Sequence, residues 1–556
     1  MPASQDGLTS LLDISRRALY VQSQSLRVIS NNIANVNTEG YTRRRVDLQT
    51  IIGASDDTNV FGAGADIAGV TRIVDRFVND ALEQRISERS EADVRDQLLA
   101  RVELMFGLQG NPGQIGTELN AFFDSLDTLA TNPASSQLRD QVILRGESLV
   151  RAVRSTYDLI AQAQREADTR LAGAVTDLNG ITERIAQLNG QIAGGEIGNQ
   201  ENLALRDQRD LLLRDLSELV SYSKVEDSQG QLLISLQSGF ALVQGTSSNA
   251  LDFTYAPSFG NYPVGLDSRG LGTIVFDFDP SATQAHGDLM QTLAAGSGEI
   301  AGLINIRGLQ SSTDTSPFDA SGDLVNIASR IESIARELLT TFNQVYRGDD
   351  PDTVAIEDED ASTAAVIDAR SGDLNGNGPG VFGLFTYSGI AGSGDSDADG
   401  LAENADLTAT GIPVFASRLA FAISDTSSLA AALDLDAADA STDFAQGDAS
   451  NIQNLLKLRT QNASVTVGSF TPSASISTIF EQTSSMVGSL KRVEENNVQI
   501  FTAREEQIRQ FYDSVSGVSI DEEFANLIDT QRAYEASARL LRVGDELISQ
   551  ILQLLG

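Results

Sequence analysis

The chain has 556 residues, 41% of them apolar, and its 39 basic and 77 acidic side chains give a net charge of −38. The length indicates several domains, and the apolar content is sufficient for packed cores. The charge argues against binding to nucleic acid or anionic membranes, and the absence of cysteine excludes disulfides and thiolate sites.

The N-terminal stretch MPASQDGLTSLLDIS has no basic region followed by an apolar core, so no cleaved Sec signal peptide is predicted. No run of about 18 apolar residues is present, so no membrane insertion is predicted. We expect the chain to be cytoplasmic or exported by a route that reads no cleaved signal.

The first predicted element is a helix from about residue 8 to 36 with a coiled-coil seam. Apolar residues recur at alternating spacings of four and three, interrupted by Ser15 and Gln22. The seam residues are Leu8, Leu12, Leu19, Leu26, Ile29, Ile33 and Val36.

Helical spacing continues over 77–106 and 115–130, and a long helix follows Pro133 and ends at Gly194-Gly195. The middle of the chain changes character, because 232–245 and 271–279 have strand patterns with glycine turns. A further helix is predicted over 324–347.

Residues 348–450 are rich in Gly, Asp, Ala and Ser. They hold 20 acidic and 2 basic residues, a net charge of −18, and are predicted to form an acidic, loop-rich β region that faces water. Helical spacing returns over 490–515.

The C-terminal segment repeats the seam pattern of the first helix. One column has a spacing of seven, and Leu540, Leu547 and Leu554 form a second column beside it. The first column consists of Leu527, Tyr534, Leu541, Ile548 and Leu555.

These elements predict a multidomain, mainly α fold with a β-rich insert. Paired N- and C-terminal coiled-coil helices would lie at one pole, followed by a long helical bundle and a distal acidic β-rich domain. The predicted domains are a terminal coiled-coil assembly domain (1–45 plus 517–556), a helical bundle (46–220 plus 296–347 plus 448–516) and an outer β-rich acidic domain (221–295 plus 348–447).

The stretch SNNIANVNTEGYTRRR, residues 30–45, ends the first helix. Asn and Gly tolerate the left-handed backbone that terminates helices, but a plain stop needs only one such residue. The concentration of polar residues favours a shaped turn that fits its neighbours. The motif residues are Asn32, Asn35, Asn37, Gly40, Tyr41 and Arg43.

This stretch resembles the N-terminal signature of the bacterial flagellar axial proteins, the rod, hook and hook-associated family. The closing segment GVSIDEEFANLIDTQRAYEASARLLRVGDELISQILQLL, residues 517–555, is similar to that family's C-terminal segment and especially to its hook-associated members. The likeness extends over about 50 residues at each end and is absent from 348–446.

The resemblance implies a structural subunit, not an enzyme, at the hook–filament junction of the bacterial flagellum, outside the cell after type III export. The implied partners are copies of itself in a ring, the hook protein, a second hook-associated junction protein and an export chaperone at the C-terminal helix. Arg43, Arg44 and Arg45 either form a solvated face or pair with an acidic patch on an adjacent subunit, such as 521–523. Tyr41 and Tyr534 are interpreted as packing aromatics.

Few residues suggest chemistry, and no cofactor is predicted. The stretch DSDADGLAENAD has calcium-loop spacing, although aspartate replaces the usual final glutamate and no flanking helices are evident; its candidate ligands are Asp395, Asp397, Asp399, Glu403 and Asp406. A solvated acidic loop is the simpler interpretation, and a second stretch from Asp373 is a weaker match. The single histidine, His286, lies beside no nucleophile motif.

Three alternatives remain open from the sequence. The chain could be another flagellar axial protein, a hook or distal rod protein, although the long helices after Pro133 argue against this. It could be a secreted calcium-binding adhesin with helical stalks, which would not need both terminal seams. It could also carry an enzyme in the insert.

Overall fold

The computed structural model of the chain describes residues 3–56, 59–106, 114–196, 202–255, 271–276, 287–309, 318, 320–347, 371–372, 383–387, 414–433 and 447–555. Over these residues the protein is mainly helical, with small antiparallel sheets. The long helices predicted from the sequence are present in the structure.

Twelve α-helices lie in the described residues, and the longest is α4 with 60 residues. In chain order they are α1 Ala3–Ala34, α2 Arg76–Phe106, α3 Ile115–Thr131, α4 Ser136–Gly195, α5 Leu203–Leu219, α6 Met290–Ala294, α7 Glu299–Arg307, α8 Asp323–Leu339, α9 Thr341–Arg347, α10 Ser450–Lys457, α11 Ile476–Ser516 and α12 Ile520–Leu555.

The strands pair locally and antiparallel. The sheets are β1 (Arg44–Asp56) with β2 (Asn59–Arg72); β3 (Ser223–Glu226), β4 (Leu232–Ser235), β5 (Ala241–Gln244) and β6 (Ser247–Ser248) in that order; β7 (Asp252–Tyr255), β8 (Gly272–Phe276) and β9 (Gly287–Asp288) in that order; β10 (Ser371–Gly372) with β13 (Ala432–Leu433); and β11 (Phe385–Tyr387) with β12 (Leu419–Phe421).

The first and last helices pack against each other in antiparallel orientation. Asn32 near the end of α1 bonds to Glu523 near the start of α12, whereas Leu12 lies beside Gly544 two-thirds of the way along α12. A Cβ atom at Gly544 would lie 2.6 Å from Leu12 Cδ2, so the helices approach closely because this position has no side chain. On another side, α1 packs on β2, where Ile14 contacts Gly64.

The body of the protein contains one continuous hydrophobic core. It includes residues from every helix from α2 to α11 and from the inner faces of several of the small sheets. A second, smaller cluster joins the start of α2 to the end of α11 and consists of Val78, Leu82, Ile86 and Tyr512. The α2–α11 pair therefore links the terminal helices to the main core.

Helix α5 is held firmly in this body by buried polar contacts. The Arg209 side chain is 2% exposed and donates hydrogen bonds to Asn189 Oδ1 (3.0 Å) and to the Gly230 carbonyl (2.6 Å). Arg206 on the same helix pairs with Glu196 and Glu226. The residues that α5 presents to the segment after α1 and to the end of β2 therefore lie on a firmly held helix.

Two local predictions need correction. The single helix predicted over 324–347 is broken at Thr340, whose hydroxyl and N–H both donate to the Arg336 carbonyl; such back-bonding bends helices. The long hairpin of β1 and β2 lies in a region that the sequence assigned to the helical bundle. Val46, Leu48 and Thr50 alternate with polar residues there, which is a strand pattern.

The described parts of the acidic segment pack inward instead of facing water. Phe385 and Leu419 are fully buried in the main core, and the buried Glu332 carboxylate on α8 accepts hydrogen bonds from the N–H groups of Phe415 (3.0 Å) and Ala416 (2.8 Å). These apolar residues lie in 383–387 and 414–433, which carry little of the segment's charge. The expectation of an outward region was therefore wrong for these stretches.

Several carboxyl groups lie buried where helices meet sheets. Glu83 on α2 is 6% exposed and accepts hydrogen bonds from Asn79, Tyr222 and Lys224. Burial raises the pKa of Glu83 above its ordinary value even though Lys224 acts in the opposite sense. Burial likewise raises the pKa of Glu91 and of Glu337.

These shifts predict that mild acid stabilises the helical body. Between the ordinary carboxyl pKa and the raised folded-state pKa, the folded chain binds more protons than the unfolded chain, so the free energy of unfolding falls as pH rises through that window. The urea midpoint at mildly acidic pH should therefore exceed that at neutral pH, and Glu83→Gln should reduce the difference. Equal midpoints at the two pH values would contradict this interpretation.

Candidate functional site: a polar cluster that joins the terminal helices to the body

The turn after α1 is built by its asparagines and one glycine. Asn35 donates to the Asn31 carbonyl from its backbone N–H (3.1 Å) and its side chain (2.9 Å), and Thr38 bonds to Asn35 Oδ1 (3.2 Å). Gly40 has φ +75°, a left-handed backbone that favours glycine. The chain thus leaves α1 at a fixed angle and enters β1.

Asn32 is the centre of this arrangement and is 1% exposed. Its Nδ2 donates to the Arg44 carbonyl and to Glu523 Oε2, both at 3.0 Å. Its Oδ1 accepts from the Tyr41 hydroxyl (2.8 Å) and the Arg44 N–H (3.1 Å). One buried amide therefore holds the end of α1, the start of β1 and the start of α12 together.

Glu523 provides the charge on the α12 side. It accepts from Arg43 Nε at 2.8 Å, and Arg43 Nη1 reaches Glu522 at 2.7 Å. The Arg43 N–H also donates to the Ser516 carbonyl at the end of α11 (2.9 Å). Glu523 is 2% exposed and lies in the first turn of α12, where the helix dipole favours an acidic side chain.

Asp207 on α5 provides the charge on the body side. Its carboxylate accepts from the Thr42 hydroxyl, from Arg44 Nη2 (3.2 Å) and from Arg72 Nη1 (3.0 Å). Arg72, at the end of β2, also pairs with Asp210 at 2.7 Å. Together these side chains form what we call the polar cluster: Asn32, Tyr41, Thr42, Arg43, Arg44, Arg72, Asp207, Asp210, Glu522 and Glu523.

Tyr41 packs inside the cluster instead of facing solvent. The Arg44 guanidinium lies 4.8 Å from its ring centre, within the range of a cation–π contact. Burial raises the pKa of the Tyr41 phenol above its ordinary value. The hydroxyl therefore keeps its proton and remains a donor to Asn32.

The arginine pairs predicted for the turn exist, but within one chain. Arg43 meets the predicted acidic patch through Glu522 and Glu523 of the same molecule, so the expectation of an adjacent subunit as partner was wrong for Arg43. Arg45 is exposed and lies 3.1 Å from Asp47. The antiparallel pairing of α1 and α12 brings the two sequence ends together and makes the contact possible.

Arg72, Asp207 and Asp210 were missed by the sequence reasoning. The only signal was weak: Asp207 and Asp210 are three residues apart on one face of α5, a spacing common on solvated helices. Asn37, another motif residue, is exposed at the surface of the turn.

Helices α1 and α12 pack against each other, and most of the predicted seam residues on them are at least half-buried. Ile29 is buried, and the residues that are half-buried are Leu12, Leu19, Leu26, Ile33, Leu527, Leu541 and Ile548, with Val36 half-buried in the turn. Tyr534 is 40% exposed. The side chains of Leu8 and Leu555 lie outside the described residues.

Several apolar side chains of α12 are exposed in the described part of the chain. Leu540 and Leu547, two members of the second predicted column, are 52% and 41% exposed, and Val543 between them is 49% exposed. Phe524 and Ile528 nearer its start are each 48% exposed. Apolar side chains in such a row usually mark a contact surface.

The chemical candidates fall largely outside the described residues. His286 and the acidic stretch 395–406 both lie there, as does the weaker match from Asp373. Within the part of the chain that the structure describes, no group of acidic or histidine side chains could hold a metal ion. None of the described helices combines the length and apolar character required to cross a membrane.

Comparison with known protein families gives three matches along the chain. The helical domain of flagellar hook-associated protein FlgK matches residues 99–350. The flagella basal body rod protein family matches residues 12–42, and the C-terminal region of the flagellar basal body rod FlgEFG proteins matches 509–554. The two terminal matches cover both sides of the polar cluster.

Individual relatives give the same result over the whole length. Flagellar hook-associated protein 1 of Bacillus subtilis is 24% identical, over 98% of each chain. That of Escherichia coli is also 24% identical, over 98% of this chain and 100% of the relative. The flagellar hook junction protein FlgK from Burkholderia pseudomallei shares the fold, with a TM-score of 0.57 and 17% identity over 79% of this chain and 100% of that one.

These features define a structural component of the flagellar axis and not an enzyme. Its ends are of the kind found in rod and hook proteins, and its helical body distinguishes it among them. The family matches and the full-length relatives confirm the resemblance to the flagellar hook-associated proteins that was found in the sequence.

The polar cluster predicts a specific effect of Asn32→Ala. The substitution removes the Asn32 partner of Glu523 Oε2, of the Tyr41 hydroxyl and of the Arg44 backbone, and each buried group left unsatisfied costs about 1–3 kcal/mol. We expect α1 and α12 to become sensitive to limited proteolysis while α4 stays resistant. Asn37→Ala, at an exposed position in the same turn, is the matched control; equal resistance of both variants would contradict the assigned role of Asn32.

Proposed function

We propose that this protein is the subunit that joins the hook to the filament of the bacterial flagellum. It would self-assemble into a ring through its N- and C-terminal helices. The names of the relatives support the proposal, since they are hook-associated proteins and one is called a hook junction protein. The structural observation that carries it is the antiparallel α1–α12 pair, which leaves several apolar side chains of α12 exposed, among them Leu540, Val543 and Leu547.

The energetics of the terminal pair favour assembly of many copies. Helices of this length gain little stability alone, and a half-buried leucine realises only part of the roughly 1.5–3 kcal/mol available from full burial. Contacts between copies would complete the burial of the predicted seam on α1 and α12. The monomer would then stay apart from the assembly until several copies dock together.

The proposed partners follow from the family and the position in the flagellum. They are copies of the chain in a ring, the hook protein on one side and a second hook-associated junction protein on the other. An export chaperone would bind the C-terminal helix, whose uncovered apolar face is suited to such a protein. Export would proceed through the flagellar type III channel to the outside of the cell, without a cleaved signal peptide.

Each proposed domain would have a separate role. Residues 1–45 plus 517–556 would assemble, with the turn motif setting the angle between the assembling helices and the body. Residues 46–220 plus 296–347 plus 448–516 would form the shaft. Residues 221–295 plus 348–447 would form the outer part.

Deletion of the gene tests the proposed function. Electron microscopy of the deletion strain should show hooks without filaments, and the medium should contain unpolymerised filament protein. Complementation with the wild-type gene should restore filaments. Normal filaments on the deletion strain would contradict the junction role.

Leu26→Asp tests the assembly seam. The carboxylate would replace a half-buried apolar side chain of the predicted seam on α1 and would disfavour burial of that seam. We expect a soluble monomer with a normal circular dichroism spectrum that does not enter the flagellum. Ser30→Asp, at an exposed position of α1, should be incorporated like wild type; normal incorporation of Leu26→Asp would contradict the seam.

A further inference from the structure

The outward face of α1 carries arginines that form no ion pair with any of the described residues. Arg16, Tyr20 and Arg27 are exposed, and Tyr20 is 55% exposed. No ion pair or side-chain hydrogen bond among the described residues involves these three side chains. Residues eleven apart return to the same face of a helix after about three turns, so Arg16 and Arg27 point the same way about 16.5 Å apart.

The outward face of α12 carries a row of charges with the same spacing. Glu535, Arg539, Arg542 and Glu546 are all exposed, and the described residues offer none of them an ion pair. A shallow groove of about 490 Å³ lies on this face, lined by Arg532, Glu535, Ala536, Arg539, Leu540 and Val543. Glu535 and Glu546 are also eleven residues apart. The distance between these two acidic residues along α12 therefore equals the distance between Arg16 and Arg27 along α1.

The intervening positions match as well. On α1 the positions 16, 20, 23 and 27 are separated by four, three and four residues, and on α12 the positions 535, 539, 542 and 546 have the same separations. The outer positions are opposite in charge. At one of the inner positions, the aromatic ring of Tyr20 on α1 would meet the guanidinium of Arg542 on α12, which is a favourable cation–π pair.

We propose that the outward face of α1 in one copy docks antiparallel on the outward face of α12 in the next copy. This inference rests on the proposed function, since it names the contact by which the assembling helices meet. Arg16 would pair with Glu546, Arg27 with Glu535, and the ring of Tyr20 with Arg542. The uncovered apolar residues of α12 beside the groove would be shielded by the same contact.

The antiparallel direction follows from the pairing within one chain. There α1 and α12 already run in opposite directions, so copies of the same polarity around one axis place every α1 antiparallel to every α12. The contact joins two different faces, and such heterologous contacts generate rings or helical arrays instead of dimers. The complementary charges on α1 and α12 would fix the register in which the two helices dock. They would contribute less to the affinity between the copies.

Cysteine cross-linking tests the contact directly, because the natural chain has no cysteine. Tyr20→Cys and Arg542→Cys in one chain should give, on oxidation of isolated flagella, a ladder of dimers and larger oligomers. Either substitution alone should give no ladder. The pair Leu12→Cys and Gly544→Cys, which lie in contact within one copy, should form an internal disulfide and reports that α1 and α12 remain paired.

The outcomes of this experiment separate the inference from the proposed function. Incorporation of the double variant together with a ladder supports both. Incorporation without any cross-link, while the Leu12 and Gly544 pair does cross-link, overturns the inference and leaves the proposed function standing. Absence of even the wild-type chain from the flagellum overturns both.

Charge reversal gives a second test that does not depend on disulfide geometry. The variants Arg16→Glu/Arg27→Glu and Glu535→Arg/Glu546→Arg should each lower incorporation by about tenfold, because two attractive pairs become repulsive. Co-expression of the two variants, or all four changes in one chain, should restore it. The control Arg151→Glu/Arg492→Glu, on exposed positions of α4 and α11, should leave incorporation unchanged; normal incorporation of either reversal variant would overturn the contact.

Discussion

The buried hydrogen bond between Asn32 and Glu523 is the contact on which the rest of the arrangement depends. It joins residues 491 positions apart in the sequence and places the two ends of the chain side by side. Asn32 can do this because its amide both donates and accepts, so one side chain serves the end of α1, the start of β1 and the start of α12. A carboxylate in its place would repel Glu523, and an apolar residue would leave four groups unpaired.

The polar cluster extends this contact into the helical body through Asp207. Glu523 on α12 pairs with Arg43, and Asp207 on α5 pairs with Arg44. Helices α5 and α12 are therefore linked through one short segment of chain. Buried polar networks of this kind specify geometry more than they add stability, because each group must find its partner for any to be satisfied. In a subunit that assembles through α1 and α12, such a network would hold these helices at a fixed angle to the body.

The sequence predicts the helices well because their apolar spacing is long and regular, and the terminal seams are recognisable from position alone. It predicts Arg43 and the acidic residues 521–523 as partners but not that they lie in one chain, since spacing does not show which copy supplies a contact. Asp207 could not be found, because an aspartate on a polar helix face carries no pattern of its own. The hairpin was missed although its alternation is present, because the surrounding helices made a helical bundle the simpler interpretation. The break at Thr340 depends on a side-chain hydrogen bond that no periodicity shows.

In this arrangement the polar cluster couples both terminal helices to the body as one unit. Hydrogen–deuterium exchange of the full-length chain tests this most directly through Asp207→Asn, a substitution in the body that touches neither terminal helix. In this variant we expect the amides of 3–34 and 520–555 to lose protection from exchange together. The amides of 136–195 should keep the protection that they have in the wild type. Loss of protection in only one of the two terminal helices, or in neither, would contradict the coupling.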